Sequence, residues 1–262
     1  MGVRTAARSL VSALPVNLSV QPNDRVPFQE IYSDHCLLVV NKPAGVATQP
    51  GKGRQHDTLL NGLFARHGAA LQNVGAQRDW GLVHRLDKGT SGLLVVALKP
   101  WAHDRLREAF EQRAVEKRYL ALVWGSPREP AGVIRLSLAE STDPRSGKKI
   151  SVVSRDGKPA VTAYRVISSR SRASLIECRI GTGRLHQIRA HLASLGHPVL
   201  GDEIYAQGDA REGAPRVMLH ATYLGFAHPE SGQNLEFRAE IPADMSAGLR
   251  RLRLATGPST ES

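Results

Sequence analysis

The sequence predicts an α+β fold built on a largely antiparallel sheet. Three features carry that expectation. Many short apolar runs are separated by turn residues, few stretches carry helical periodicity, and no repeat or long low-complexity linker divides the interior. In chain order, Leu37, Leu38, Val39 and Val40 form a short apolar strand, turned sharply by Asn41-Lys42-Pro43-Ala44-Gly45. Asp57 can cap a helix through Thr58, Leu59, Leu60 and Leu63, with Gly68 as its stop signal. Residues 92–98 are a candidate buried strand. Residues 101–113 read as a helix because Ala102, Leu106, Ala109 and Phe110 share one face. Strands follow at 119–124, 160–167 and 174–180, then a helix at 185–195 stopped by Gly196 and Pro198. A last strand pattern covers 234–241, ahead of Pro242.

The 262 residues include 35 Lys plus Arg against 24 Asp plus Glu, a formal net charge of +11. An excess of that size attracts polyanions, because neutralising phosphates releases condensed counterions. A basic surface that merely aids solubility is the plainer alternative; nucleic acid accounts better for the size of the excess. The two cysteines, Cys36 and Cys178, lie far apart in apolar stretches and suggest buried thiols in a reducing cytoplasm, with neither a disulfide framework nor a zinc site. No apolar run approaches the roughly 18 residues of a membrane span. Residues 1–23 lack any acid and include Arg4, Arg8, Ser9, Ser12 and Ser19, weakly like a transit peptide, but Pro15 and Pro22 interrupt any amphipathic helix there.

The chemistry concentrates in His84-Arg85-Leu86-Asp87-Lys88-Gly89-Thr90-Ser91-Gly92. An acid between basic residues, in a Gly/Thr/Ser turn before a buried strand, is a carboxylate at the mouth of a rigid sheet. An Asx-turn, with Asp87 bonding amides near Gly89, is the structural alternative. Asp-Lys-Gly-Thr also resembles the phosphorylated turn of cation-pumping ATPases, but the membrane helices and nucleotide domain of those enzymes are missing. Gly181-Thr182-Gly183-Arg184 fails as a P-loop for want of Lys and Ser or Thr after its second glycine. On a helix, Leu185, Ile188, Leu192 and Leu195 form an apolar arc, with Arg189 at its edge. A guanidinium half-buried there needs an anionic partner, and Asp87 is a candidate. His186 and His191 are five apart, on different helix faces, and read as satisfied or surface histidines rather than metal ligands.

At these residues the chain resembles the RluA family of pseudouridine synthases. His84-Arg85-Leu86-Asp87 followed by Lys-Gly-Thr-Ser-Gly-Leu-Leu looks like the family signature, and residues 38–45 resemble its opening strand and turn. Residues 117–123, then 182–191 with Gly196-His197-Pro198 and Gly201-Asp202, resemble the second and third motifs; Leu219-His220-Ala221 and Phe226-Ala227-His228-Pro229 match the closing part. Leu185 departs from the pattern, since many members carry Thr or Ser there.

The resemblance implies the family's catalytic fold, a mixed, mainly antiparallel sheet with flanking helices and a central active-site cleft. The expected layout is a flexible tail at 1–27, the catalytic domain at 28–250 and a disordered tail at 251–262, without the S4-type RNA-binding domain that many relatives carry. It implies isomerisation of uridine to pseudouridine in ribosomal or transfer RNA, needing no cofactor or metal. Monomer is the default expectation, no membrane is expected, and a cytoplasmic location rests on the absence of a credible targeting signal. Asp87 would be the nucleophile, attacking the uracil ring or ribose C1′. Tyr119 would stack on the base and help move a proton, and Arg189 would pair with Asp87. Arg85 would fill the space vacated by the flipped uridine. His84, Thr90, His186 and Gln187 would complete the substrate site, with Lys42, Lys88 and Arg184 as phosphate contacts. A non-catalytic RNA-binding protein keeping this fold is the alternative from another class; an RNA-base glycosylase is the rival enzyme.

Overall fold

The computed structural model describes residues 18–51, 56–144 and 146–256. Those residues form a mixed α+β protein around a nine-stranded sheet, with a separate two-stranded sheet beside it. The strands are β1 (Gln29–Ser33), β2 (Leu37–Lys42), β3 (Ser91–Ala97), β4 (Glu116–Trp124), β5 (Ala131–Arg135), β6 (Leu138–Thr142), β7 (Lys149–Val153), β8 (Val161–Arg170), β9 (Ala173–Ile180), β10 (Leu219–Ala227) and β11 (Asn234–Arg238). The helices are α1 (Leu59–Val74), α2 (Pro100–Glu111), α3 (Gln187–Ser194), α4 (Gly208–Glu212) and α5 (Ala243–Arg251). The large sheet runs β1-β2-β3-β10-β4-β9-β8-β5, with β11 added beside β10; β6 and β7 make the small hairpin. Every pairing is antiparallel except β3 with β10, which join in parallel at Ser91↔His220 and Gly92↔Ala221.

The unbroken apolar runs of β2 and β3 are explained by cover on both faces. Leu38, Val40, Leu94 and Val96 join one core cluster with Leu59, Leu60, Leu63 and Phe64 of α1. Their alternating neighbours Leu37, Val39, Leu93 and Val95 join a second cluster with Ala102 and Leu106 of α2. Pro100 sits in the first turn of α2, where its missing N–H costs nothing.

Several boundaries differ from the sequence reading. Thr58, not Asp57, is the N-cap of α1; the Asn61 side-chain Oδ1 accepts from the Thr58 amide at 3.0 Å and from its hydroxyl at 2.6 Å. Gly68 does not stop the helix. The chain kinks at His67 and continues because Leu71 and Val74 extend the buried face, ending at Gly75 with φ +84°. Helix α3 begins two residues later than expected, since His186 adopts φ +50°, and Leu195 turns outward rather than joining the apolar arc. Residues 18–27, assigned to the tail, carry Val20 and Val26 into the core, and Asn61 Nδ2 donates to the Gln21 carbonyl at 2.7 Å. At the other end Leu254 is buried. Arg4, Arg8, Ser9, Ser12 and Pro15, and the tail beyond residue 256, lie outside the described residues. No helix among the described residues is long and apolar enough to cross a membrane.

Gly92 is where β3 meets β10, with φ +117°, and a methyl there would overlap the Ala221 main chain. Gly92→Ala is therefore expected to lower stability by about 1–3 kcal/mol, through overpacking and backbone strain. A urea-unfolding midpoint equal to wild type would contradict this account of the junction.

Candidate active site

The segment after the 3₁₀ turn at Ala76–Gly81 delivers Asp87 to the open end of the sheet. Its turn is closed by the main chain, the Thr90 amide donating to the Asp87 carbonyl at 3.1 Å, so the carboxylate is not needed to close an Asx-turn. Two contacts bracket the loop. The Thr48 hydroxyl donates to the Leu86 carbonyl at 2.7 Å and accepts from the Leu86 amide at 3.2 Å, and the Gly45 amide donates to the Lys88 carbonyl at 2.8 Å.

Arg189 arrives from α3. Its Nη1 donates to Asp87 Oδ2 at 3.0 Å, as the sequence predicted. The stronger anchor was not anticipated. Asp202, fully buried, accepts from Arg189 Nε at 2.7 Å and Nη2 at 2.8 Å, and from the amides of Ile204 at 2.9 Å and Tyr205 at 3.1 Å. Burial alone would raise the Asp202 carboxyl, but the guanidinium and those amides outweigh it and hold the group below the ordinary carboxylate range. Burial opposes the charge on Arg189, but its two carboxylate partners hold the guanidinium firmly protonated. The sequence showed Gly201-Asp202 as part of a motif, yet an acid after a glycine offers no spacing rule linking it to Arg189.

A cleft opens over this pair, lined by Asp87, His84, Arg85, Thr90, Tyr119, Lys117, Arg184, His186 and Phe110 among others. Tyr119 is buried, and burial together with the Asp87 charge pushes its phenol well above the ordinary range. His84 stacks on Phe110 with centroids 4.7 Å apart, and its Nε2 accepts from the Val95 amide at 3.1 Å. Burial lowers that imidazole to about 3, so it is neutral. Thr90 is buried, and among the described residues its hydroxyl has no partner. Arg85 and Arg184 are exposed at the rim. Lys117, unassigned by the sequence, lies with Nζ 5.0 Å from the Phe110 ring centre, and burial lowers its ammonium to about 8.

Two expected substrate contacts do not fit that role. Lys42 is fully buried, and its Nζ donates to the carbonyls of Pro43 at 3.0 Å and Val46 at 2.7 Å; burial lowers it to about 7. It braces the turn instead of meeting phosphate. The Gln187 amide is spent inside the protein, accepting from Thr182 Oγ1 at 2.7 Å and the Arg184 amide at 3.1 Å while donating to the Val161 carbonyl at 2.9 Å. Lys88 is exposed but lies outside the cleft lining.

One group of potential metal ligands occurs among the described residues, Asp34, Cys36 and His228, at the β1–β2 turn. Its atoms are already engaged. His228 Nδ1 accepts from the Glu230 amide at 3.2 Å and the Ser231 amide at 3.1 Å, which leaves the proton on Nε2, bonded to Asp34 at 2.9 Å. The Cys36 thiol is raised to about 12 by burial and by Asp34.

Known proteins are similar to this chain in sequence and fold. The family model described as RNA pseudouridylate synthase matches residues 36–194. The ribosomal large subunit pseudouridine synthase D of Zymomonas mobilis is 41% identical over 92% of this chain and 78% of its own length. An uncharacterized RNA pseudouridine synthase of Bacillus subtilis is 36% identical over 92% of this chain and 84% of its own. Among solved structures, human RNA pseudouridylate synthase domain containing 4 superimposes with a TM-score of 0.68 at 28% identity, covering 87% of this chain and 94% of that one.

Removing the Asp202 charge should strand Arg189, at a cost of about 3–5 kcal/mol for Asp202→Asn at neutral pH. Because the folded carboxyl lies below its unfolded value, this contribution is present above that value and lost as the pH falls through the folded one. The stability gap between wild type and variant should therefore narrow below about pH 4. Urea titrations showing a gap that does not change with pH would rule out this role. The matching motifs, the shared fold and a carboxylate held by a buried arginine in a basic-rimmed cleft agree: the chain belongs to the RluA-type RNA pseudouridine synthases, isomerases of uridine in RNA.

Proposed function

We propose that Asp87 is the nucleophile and that large-subunit ribosomal RNA is the substrate. The observation that carries the first part is the asymmetry at Arg189. Asp202 is fully enclosed, whereas the Asp87 side chain is 25% exposed and holds a single arginine bond at 3.0 Å, leaving lone pairs open to the cleft. A target uridine must leave its stack to reach a carboxylate so placed. Arg85 stands at the rim where it can occupy the vacated space. Tyr119 offers a ring to stack on the base, and the unpartnered Thr90 hydroxyl offers a hydrogen bond to it. Arg184, Arg85 and Lys117 supply positive charge along the cleft for the RNA backbone.

In the reaction the N-glycosidic bond breaks, the uracil turns in the pocket, and C5 joins C1′. The substrate supplies both halves of the product, so the cleft has only to hold, orient and move protons. The choice of ribosomal RNA rests on the relatives from Zymomonas mobilis and Nitrosomonas europaea, both named for the ribosomal large subunit. A cytoplasmic location fits two buried free thiols.

C5-tritiated ribosomal and transfer RNA, taken from cells lacking the gene, releases tritium to water when C5 becomes bonded to carbon. Wild type should release it from ribosomal RNA. Asp87→Asn should abolish release while keeping RNA affinity within about tenfold, because binding rests mainly on basic groups. Binding lost in step with turnover would make Asp87 a structural acid. Release from transfer RNA alone would overturn the substrate assignment.

A further inference from the structure

Forming the C5–C1′ bond leaves a hydrogen on C5 that must depart as a proton, and the cleft therefore needs a base. Tyr119 suits the task poorly, since its buried phenol stays protonated beside the Asp87 charge. Asp87 is still bonded to C6 at this point if it attacks the ring; if it attacks C1′ it has just been displaced, with Oδ2 tied to Arg189 Nη1 at 3.0 Å. His186 also lines the cleft, with Nε2 3.8 Å from Asp87 Oδ2.

The hydrogen bonds behind His186 determine which of its nitrogens carries the proton. His186 Nδ1 lies 3.2 Å from the Tyr205 hydroxyl. That hydroxyl also meets both main-chain groups of Ser151, accepting from the amide at 2.8 Å and donating to the carbonyl at 2.9 Å. The donation follows from register. In the β6–β7 hairpin the Asp143 amide bonds the Lys148 carbonyl and the Ser154 amide bonds the Ser137 carbonyl. Alternation between those ends makes Glu140↔Ser151 a non-hydrogen-bonded pair, whose Ser151 amide and carbonyl both point away from β6. The Ser151 carbonyl thus takes the single phenolic proton. In this arrangement what remains on Tyr205 is an acceptor, which makes His186 Nδ1 the donor at 3.2 Å. A neutral His186 then has a bare lone pair on Nε2, directed toward the cleft beside Asp87. The hairpin is further tied to this corner by the Ser151 hydroxyl, which donates to the Leu185 carbonyl at 2.5 Å.

We infer that His186 is the general base that takes the C5 proton, with Tyr205 as the positioning residue that keeps its Nε2 unprotonated. The inference rests on the reading of Asp87 as nucleophile and adds to it. In the step, the C5–H bond breaks and its electron pair restores the C5=C6 double bond, while the C6=N1 pair moves onto N1 or, where Asp87 has added to the ring, the C6–Asp87 bond breaks and frees the carboxylate. The proton goes to Nε2 and on to solvent. N1, released from C1′, takes a proton from solvent, so no other reactant is consumed. The imidazolium formed in passing lies next to the Asp87 carboxylate. Arg85, Arg189 and Asp202 are the remaining charged groups acting on it.

The test compares two substrates under single turnover: ribosomal RNA carrying C5-tritiated uridine, and the same RNA carrying 5-fluorouridine, which has no C5 proton to lose. His186→Asn keeps a donor near the Nδ1 position and suits the left-handed backbone of residue 186. It should slow tritium release by about 100-fold or more, while consuming 5-fluorouridine within about threefold of wild type. Tyr205→Phe, which leaves the imidazole free to change tautomer, should show the same split to a smaller degree. Tritium release near wild type in His186→Asn, or equal losses on both substrates in both variants, would overturn the inference. Asp87→Asn separates the two readings, since it should stop both substrates; full activity there would sink the nucleophile whatever His186 does.

Discussion

The site depends on one buried guanidinium shared by two carboxylates. Arg189 is almost fully enclosed, and a cation in that position is tolerable only with its partners in place. Asp202 supplies the permanent one, itself bound by two arginine nitrogens and two amides. That saturation makes Asp202 an anchor and leaves the third arm of the guanidinium to orient Asp87. The geometry separates the two acids by environment. One is closed in and chemically idle; the other is held at a single point and open to substrate.

The rest of the fold brings these two loops together. Asp87 lies between residues held by Thr48 and Gly45 and precedes β3, whose first residues meet β10 in the single parallel contact of the sheet. Arg189 comes from α3, which begins just after the left-handed His186, and that same residue faces Asp87. The β6–β7 hairpin reaches the site through Ser151 and Tyr205. Segments from widely separated parts of the chain are thus joined by a few directional hydrogen bonds, while the apolar clusters on both faces of β2 and β3 hold the frame rigid.

Much of this was legible in the sequence, for reasons of local chemistry. Periodicity located α2 and, from the runs at 37–40, 92–98, 119–124 and 174–180, the strands β2, β3, β4 and β9, since each carries its burial pattern within its own residues. The need of a half-buried arginine for an anion pointed to the Asp87–Arg189 pair. What escaped was non-local. Asp202 has no sequence spacing to Arg189, and Tyr205 is defined only by the hairpin it touches. Lys42 looked like a surface cation because nothing in Asn-Lys-Pro-Ala-Gly shows that two carbonyls close around its ammonium. Strand β10 was missed as a strand because His220, Thr222 and Gly225 interrupt its apolar pattern, although it lies at the centre of the sheet.

The central claim, that Asp202 acts on Asp87 only through Arg189, is tested most directly by a double-mutant cycle. The single-turnover rate of tritium release would be measured for Arg189→Lys, Asp202→Asn and the double variant, at a temperature where all three are folded. If the three residues form one chain, the double variant should lose no more activity than the worse single one. Losses that add in free energy would mean that Asp202 and Arg189 serve the reaction independently, and would contradict the account.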